Sequence, residues 1–183
     1  MATIFKNVLI QGVGTPLTVT TVTPSSPSAG SVTLTFATQS TAPYTSGQKI
    51  TISGISVSGY NGTYTVTACT ASTVTYANST TGAATGGTIT QCAMVSNASA
   101  TTTVIGLSLS NTSGNIVQAS VQIQDTIAGT QAYFINNVTI PANTSARIIN
   151  GGERLVLGAS SNVLVNSNTA SSIDLVMSWV EIS

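Results

Sequence analysis

Eight side chains make up the whole charged inventory of this 183-residue chain: Lys6, Lys49, Arg147, Arg154, Asp125, Glu153, Asp174 and Glu181, with no histidine. A hydrolytic triad needs a base to take the nucleophile's proton, and histidine, the usual one, is missing. A Ser–Lys arrangement would have to use Lys6 or Lys49, and neither lies near a nucleophile-elbow pattern. Four carboxylates permit a glycosidase pair on paper, but without the carboxylate- and aromatic-rich surroundings of a glycan-cutting cleft. There is no zinc-ligand spacing. A carbonyl-built calcium site using Asp125 or Asp174 is the one metal alternative left open. Cys69 and Cys92 either pair, closing a loop worth about 3 kcal/mol in the entropy model, or sit as two buried thiols. The thiol reading is favoured in a chain whose start, Met1-Ala-Thr-Ile-Phe-Lys-Asn7, shows no secretory leader. The expectation is a protein that is not an enzyme, with no catalytic residue, no cofactor and no metal.

The same shortage of charge bounds the partners. Charged residues are 4% of the chain and cancel to zero, against about 25% in an ordinary soluble domain. Four scattered cations cannot form the footprint that phosphates require, so nucleic acid is excluded. An anionic membrane surface is excluded on the same ground, and no apolar run approaches the length of a spanning helix. Partners must be held by shape, backbone hydrogen bonds and apolar contact. Thr and Ser supply roughly a third of the residues, a neutral surface that fits a chain covered by neighbours.

Period-two alternation runs through the chain, and no helical stripe is visible. Val32, Leu34 and Phe36 alternate with Thr33 and Thr35, Ile50 and Ile52 with Thr51 and Ser53, and Tyr64, Val66 and Ala68 with Thr65 and Thr67. Val74-Thr-Tyr76 and the run around Ile89 complete five short strands between residues 31 and 92, with Asn61-Gly62 reading as a type I′ hairpin turn. Further strands are expected at Thr103–Ser110, with Val104 facing opposite to Ile105, Leu107 and Leu109. Val117–Gln124 follows with its odd positions inward, then Ala132–Ile140, Ala146–Ile149, Arg154–Leu157, Asn162–Val165 and Ile173–Ile182, with a turn at Asn150-Gly151-Gly152. The fold class is all-β: an antiparallel sandwich, jelly-roll or Ig-like, carrying a second small sandwich or barrel. The Pro24–Gly30 and Ser96–Ala100 breaks suggest a discontinuous host sandwich of residues 1–23 plus 94–183, with an inserted module at 24–93.

The last strand is apolar on both faces: Ile173, Leu175, Met177 and Trp179 on one, Val176, Val180 and Ile182 on the other. The second face is either inter-sheet core or an oligomer interface. Glu153 and Arg154, after the Asn150 turn, read either as a solvated hairpin or as an intersubunit ion pair with Arg147 or Glu181, which would fix orientation more than affinity. The candidate interface set is therefore Val176, Val180, Ile182, Arg147, Glu153 and Arg154, in a homo-oligomer for which a trimer is favoured.

Two groups of motifs resemble small virion structural proteins of tailed bacteriophages, particularly of cyanophages. The host part is similar in Phe5-Lys6-Asn7, Val13-Gly14, Thr103-Val-Ile-Gly-Leu-Ser-Leu-Ser-Asn111, Ile140-Pro141-Ala142, Gly151-Gly-Glu-Arg-Leu-Val-Leu157, Ala170-Ser-Ser-Ile-Asp174 and Trp179-Val-Glu-Ile182. The middle part resembles a β-module of phage structural proteins in Gly47-Gln-Lys-Ile-Thr-Ile-Ser-Gly54, Tyr60-Asn-Gly-Thr-Tyr-Thr-Val66 and Val74-Thr-Tyr76. The resemblance implies a particle component made in the bacterial host cytoplasm: a capsid decoration or cement protein on the major capsid protein lattice. The alternative is a neck, tail or fibre component whose inserted module contacts the host.

Overall fold

The computed structural model of the chain describes residues 2–24, 30–149 and 151–183. Among the described residues the regular structure is fourteen strands and one 3-10 turn, Ser58–Tyr60. The strands are β1 Thr3–Val13, β2 Leu17–Pro24, β3 Ser31–Phe36, β4 Lys49–Ser53, β5 Gly62–Cys69, β6 Thr73–Ala77, β7 Thr88–Val95, β8 Thr101–Asn111, β9 Val117–Asp125, β10 Thr130–Ile140, β11 Ser145–Ile149, β12 Leu155–Leu157, β13 Ser161–Ser167 and β14 Ile173–Ile182. The chain is all-β, and it divides into two compact units: Met1–Gly14 with Ala93–Ser183, and Thr15–Cys92.

The first unit has one sheet ordered β1-β14-β8-β11, with β12 also on β8, and in the other the order β10-β9-β13-β7, where β7 enters this unit from Ala93 onward and its earlier residues belong to the second. In chain order its first strand pairs with its last (β1–β14), the second with the seventh (β7–β13), the third with the sixth (β8 with β11 and β12) and the fourth with the fifth (β9–β10). Such nested pairing is one long hairpin rolled up, closed by the β14–β8 and β13–β9 contacts. That is a jelly roll, and it decides between the two sandwich types expected. Alternation fills the core from both sheets: Val104, Leu107 and Leu109 of β8, Val117, Ala119 and Val121 of β9, Val163 and Val165 of β13, and Ile173, Leu175, Met177 and Trp179 of β14.

One expectation for β8 fails. Ser178 faces Gly106 and Trp179 faces Val104, so Ile105 is an extra residue in the strand. This bulge shifts the alternation by one. Val104 therefore joins Leu107 and Leu109 in the core, and Ile105 stands outside, 41% exposed. Of the turn expected at Asn150-Gly151-Gly152, Gly151 and Gly152 do form a turn, Asn150 lying outside the described residues, but the strands on either side are not a hairpin. β11 and β12 do not pair with each other. Both run in the same direction along β8, Ser145 opposite Ser110 and Leu157 opposite Thr102. They lie in line along β8, and after β11 Gly151 and Gly152 take positive φ of 60° and 105°, as glycine readily does.

The second unit closes on itself. β7, β2, β3, β6, β5 and β4 pair in turn, and β4 returns to β7, giving a six-stranded antiparallel barrel. Its core holds Val32, Leu34, Ile50, Ile52, Tyr60, Val66, Val74, Tyr76 and Ile89, with Leu17, Val19 and Val22 from β2. Between strands, threonines bond in cross-strand pairs, Thr33 to Thr75 at 2.9 Å and Thr51 to Thr63 at 2.8 Å. These pairs let an uncharged face satisfy its own hydroxyls. Residues 15–23, expected in the host sandwich, therefore belong to the barrel: β2 pairs with β3 and β7 and buries its apolar side inside. The Pro24–Gly30 break connects two paired strands of one unit, and its residues 25–29 lie outside the described residues. The type I′ turn at Asn61-Gly62 is absent as well. Asn61 has extended backbone (φ −81°, ψ 145°), and its side chain accepts the Ile55 N–H and donates to the Ile55 carbonyl, both at 2.9 Å.

Candidate functional site

The charged groups are spread over the fold, and Lys6, Glu181, Asp174 and Asp125 are bonded to other parts of it. Among the described residues the one salt bridge joins Lys6 Nζ to Glu181 Oε2 at 2.7 Å. Glu181 is 5% exposed. Its other oxygen accepts the Trp179 indole N–H at 3.0 Å, and Asn97 Nδ2 reaches Oε2 at 3.5 Å. Lys6 first, then Trp179, holds the Glu181 carboxyl below its ordinary value by bonding the charged form. Asp174 accepts the Gly12 N–H at 2.9 Å where β1 bulges against β14. Asp125 accepts the Ile127 and Ala128 N–H groups in the β9–β10 turn. Both aspartates raised as calcium ligands are thus bonded to backbone donors, and no group of three His, Cys, Asp or Glu side chains gathers among the described residues. Cys69 and Cys92 are not joined in a disulfide, and Cys92 is buried. Burial raises the Cys69 pKa, the wrong direction for a nucleophile. Among the described residues no helix is long and apolar enough to cross a membrane.

What the fold does assemble is a surface: the outer face of the five-stranded sheet of the jelly roll. Register puts its residues in rows across β1, β14 and β8. Thr3, Ile182 and Thr101 form one row, and Phe5, Val180 and Thr103 the next, extended by Val156 of β12. Asn7, Ser178 and Gly106 follow, then Leu9, Val176 and Ser108, extended by Arg147 of β11. Phe5 is 73% exposed, Leu9 68% and Val156 64%; Val176 and Ile182 are also exposed, and Val180 is half-buried. Rows led by Phe5 and Val180, and by Leu9 and Val176, therefore flank the row of Asn7, Ser178 and Gly106. The relief is visible as two depressions sharing Ser178. One lies toward Phe5, Asn7 and Ile105, the other toward Gly106, Ser108, Arg147 and Val176.

The expected interface residues divide. Val176, Val180, Ile182 and Arg147 come together on this face, and Trp179 turns the other way into the core. The second face of β14 is thus outward and not inter-sheet core. Glu153 and Arg154 are exposed on the segment before β12. Glu181, considered as their partner, points inward and is taken by Lys6. Sequence reasoning passed over Phe5, Leu9, Val156 and Ile105. β1 carried the same signal as β14, apolar residues on both faces, since Phe5 and Leu9 alternate with Ile4, Val8 and Ile10. Ile105 carried none, because a bulge leaves no mark in the alternation.

Free strand edges, where a partner could pair by backbone hydrogen bonds, are guarded at β1 and β10. The barrel is closed and has none. Edge strand β1 turns Lys6 inward, and edge strand β10 is broken by two register shifts, both ways of discouraging edge-to-edge pairing. No family model, curated protein or solved structure matches this chain.

Proposed function

We propose that this chain is a non-enzymatic structural component of a tailed-bacteriophage virion, a capsid decoration or head-surface protein attached through the outer face of the five-stranded sheet. The observation that carries the reading is that face, where Phe5, Leu9, Val156, Val176, Val180 and Ile182 stand among small uncharged side chains, on a chain with only eight charged groups. Exposed apolar side chains gathered on one face, rimmed by polar ones, mark interaction surfaces in soluble proteins, which supports a face covered by a partner. A particle lattice covers it without needing the charge that nucleic acid or a membrane surface would require. The resemblance of Phe5-Lys6-Asn7, Gly151–Leu157 and Trp179–Ile182 to phage virion proteins supplies the setting.

Quantitative mass spectrometry of purified particles tests the reading. Hundreds of copies per particle are expected of a decoration protein. A few dozen or fewer would move the chain to the neck, tail or fibre, with the barrel as the host-contacting part. Absence from particles would overturn the proposal.

A further inference from the structure

We infer that Asn61-Gly62 is a deamidation site that the barrel holds shut, by tying the Asn61 carboxamide to the backbone of Ile55. The site governs the lifetime of the barrel and is independent of what covers the jelly roll.

Both residues are demanded by the local structure. The Asn61 carboxamide accepts the Ile55 N–H through Oδ1 and donates to the Ile55 carbonyl through Nδ2, each at 2.9 Å. It serves Ile55 as a neighbouring strand would, and a side chain must be acceptor and donor at once to do so. Gly62 enters β5 opposite Ile52 with a φ of 141°, backbone that glycine adopts and other residues rarely do. A Cβ at Gly62 would also lie 3.3 Å from the Tyr64 hydroxyl.

The fold therefore sets an asparagine directly before a glycine, and that pair is chemically labile. The Gly62 amide nitrogen, unhindered by a side chain, can attack Asn61 Cγ. Its bond to Cγ forms as the Cγ–Nδ2 bond breaks, and Nδ2 leaves as ammonia with the proton that the Gly62 nitrogen gives up. Water then opens the cyclic imide on either side, leaving aspartate or isoaspartate. No other reactant is needed.

The attack requires the carboxamide to turn onto the Gly62 nitrogen, so both bonds to Ile55 must break first. Losing two hydrogen bonds before reaction slows it by about tenfold or more. Once the reaction has happened the latch cannot re-form. A carboxylate has no donor for the Ile55 carbonyl, and isoaspartate lengthens the backbone entering β5. The damage reaches the core through Tyr60, next in the chain and fully buried. Its hydroxyl donates to the Gly82 carbonyl at 2.8 Å, and its carbonyl accepts the Tyr76 hydroxyl at 3.4 Å. Folding protects the pair, and prolonged opening of the barrel becomes irreversible.

The test holds the full-length chain at mildly alkaline pH, folded or unfolded in guanidinium chloride, and follows conversion of Asn61 by peptide mass spectrometry. Exchange of the Ile55 amide is measured by NMR on the folded chain, and Asn61→Asp is melted beside wild type. The expected results are conversion at least about tenfold slower in the folded chain, a protected Ile55 amide and a lower melting temperature for Asn61→Asp. Equal conversion in both states overturns the inference. An Ile55 amide that exchanges as in an unfolded chain does so too, because slow conversion would then have another cause. Asn61→Asp melting like wild type would overturn the claim that conversion breaks the latch. The first two measurements use the unaltered chain, so they decide the matter even where Asn61→Asp fails to fold.

Discussion

Lys6 and Glu181, 175 residues apart in the chain, meet at 2.7 Å across the β1–β14 pair. The contact ties an edge strand to the centre of its sheet, and the Trp179 indole N–H completes it from the same face of β14. Burial of the Glu181 carboxylate is tolerable only because each of its oxygens has a donor.

That arrangement fixes a pH dependence. The Glu181 pKa is lowered from its ordinary 4.5 in the folded chain, so its contribution to stability is complete above about pH 4.5 and is lost as pH falls through the lower folded value. Glu181→Gln should cost about 1 kcal/mol at neutral pH, roughly 2–4 °C in melting temperature, and the gap to wild type should narrow as pH falls below the ordinary carboxyl value of 4.5. Melting curves of both proteins across this range check it. A gap that is constant with pH would mean the carboxylate charge is not what stabilises.

A second expectation concerns the neighbouring strand. Thr102 faces Glu181 on one side and Leu157 on the other, is fully buried, and its hydroxyl has no hydrogen-bond partner. An unsatisfied buried hydroxyl costs about 1–3 kcal/mol. Thr102→Val keeps the shape and should raise the melting temperature by roughly 2–4 °C. A lowered melting temperature would show that the hydroxyl is satisfied by a bond the geometry does not reveal.

The unit boundaries make a third. Removing 15–92 and joining Gly14 to Ala93 through a short Gly/Ser bridge should leave a folded jelly roll. Removing 24–93 should not, because it strands Leu17, Val19 and Val22, which are core residues of the barrel. Exposing each costs about 1.5–3 kcal/mol of lost burial and invites aggregation. Solubility and amide dispersion in two-dimensional NMR distinguish the two deletions. Equal behaviour of both would contradict the division at Gly14 and Cys92.

Much of this architecture is legible in residue order because β alternation is local. The inward sets Val117–Ala119–Val121 and Ile173–Leu175–Met177–Trp179 follow from period two alone, as does the outward set Val176, Val180 and Ile182. Three features were hidden, each for a physical reason. β2 alternates like β1, and only its pairing with β3 and β7 assigns it to the barrel. The Pro/Ser-rich break after Pro24 marks a loop, and loops occur inside units as well as between them. The bulge at Ile105 is a property of the β8–β14 register, which joins residues far apart in the chain. Asn61-Gly62 misled in another way. Its turn preference was overridden by the Asn61 side chain, which bonds the Ile55 backbone in place of forming a two-residue hairpin.

The central claim is that this chain is a particle component covered on the outer face of its five-stranded sheet. A cryo-EM map of the purified virion tests it most directly. The account predicts jelly-roll density repeated over the head surface, with Phe5, Leu9, Val156 and Val176 buried against neighbouring protein. A particle lacking this density, or one in which that face points to open solvent in every copy, would contradict it.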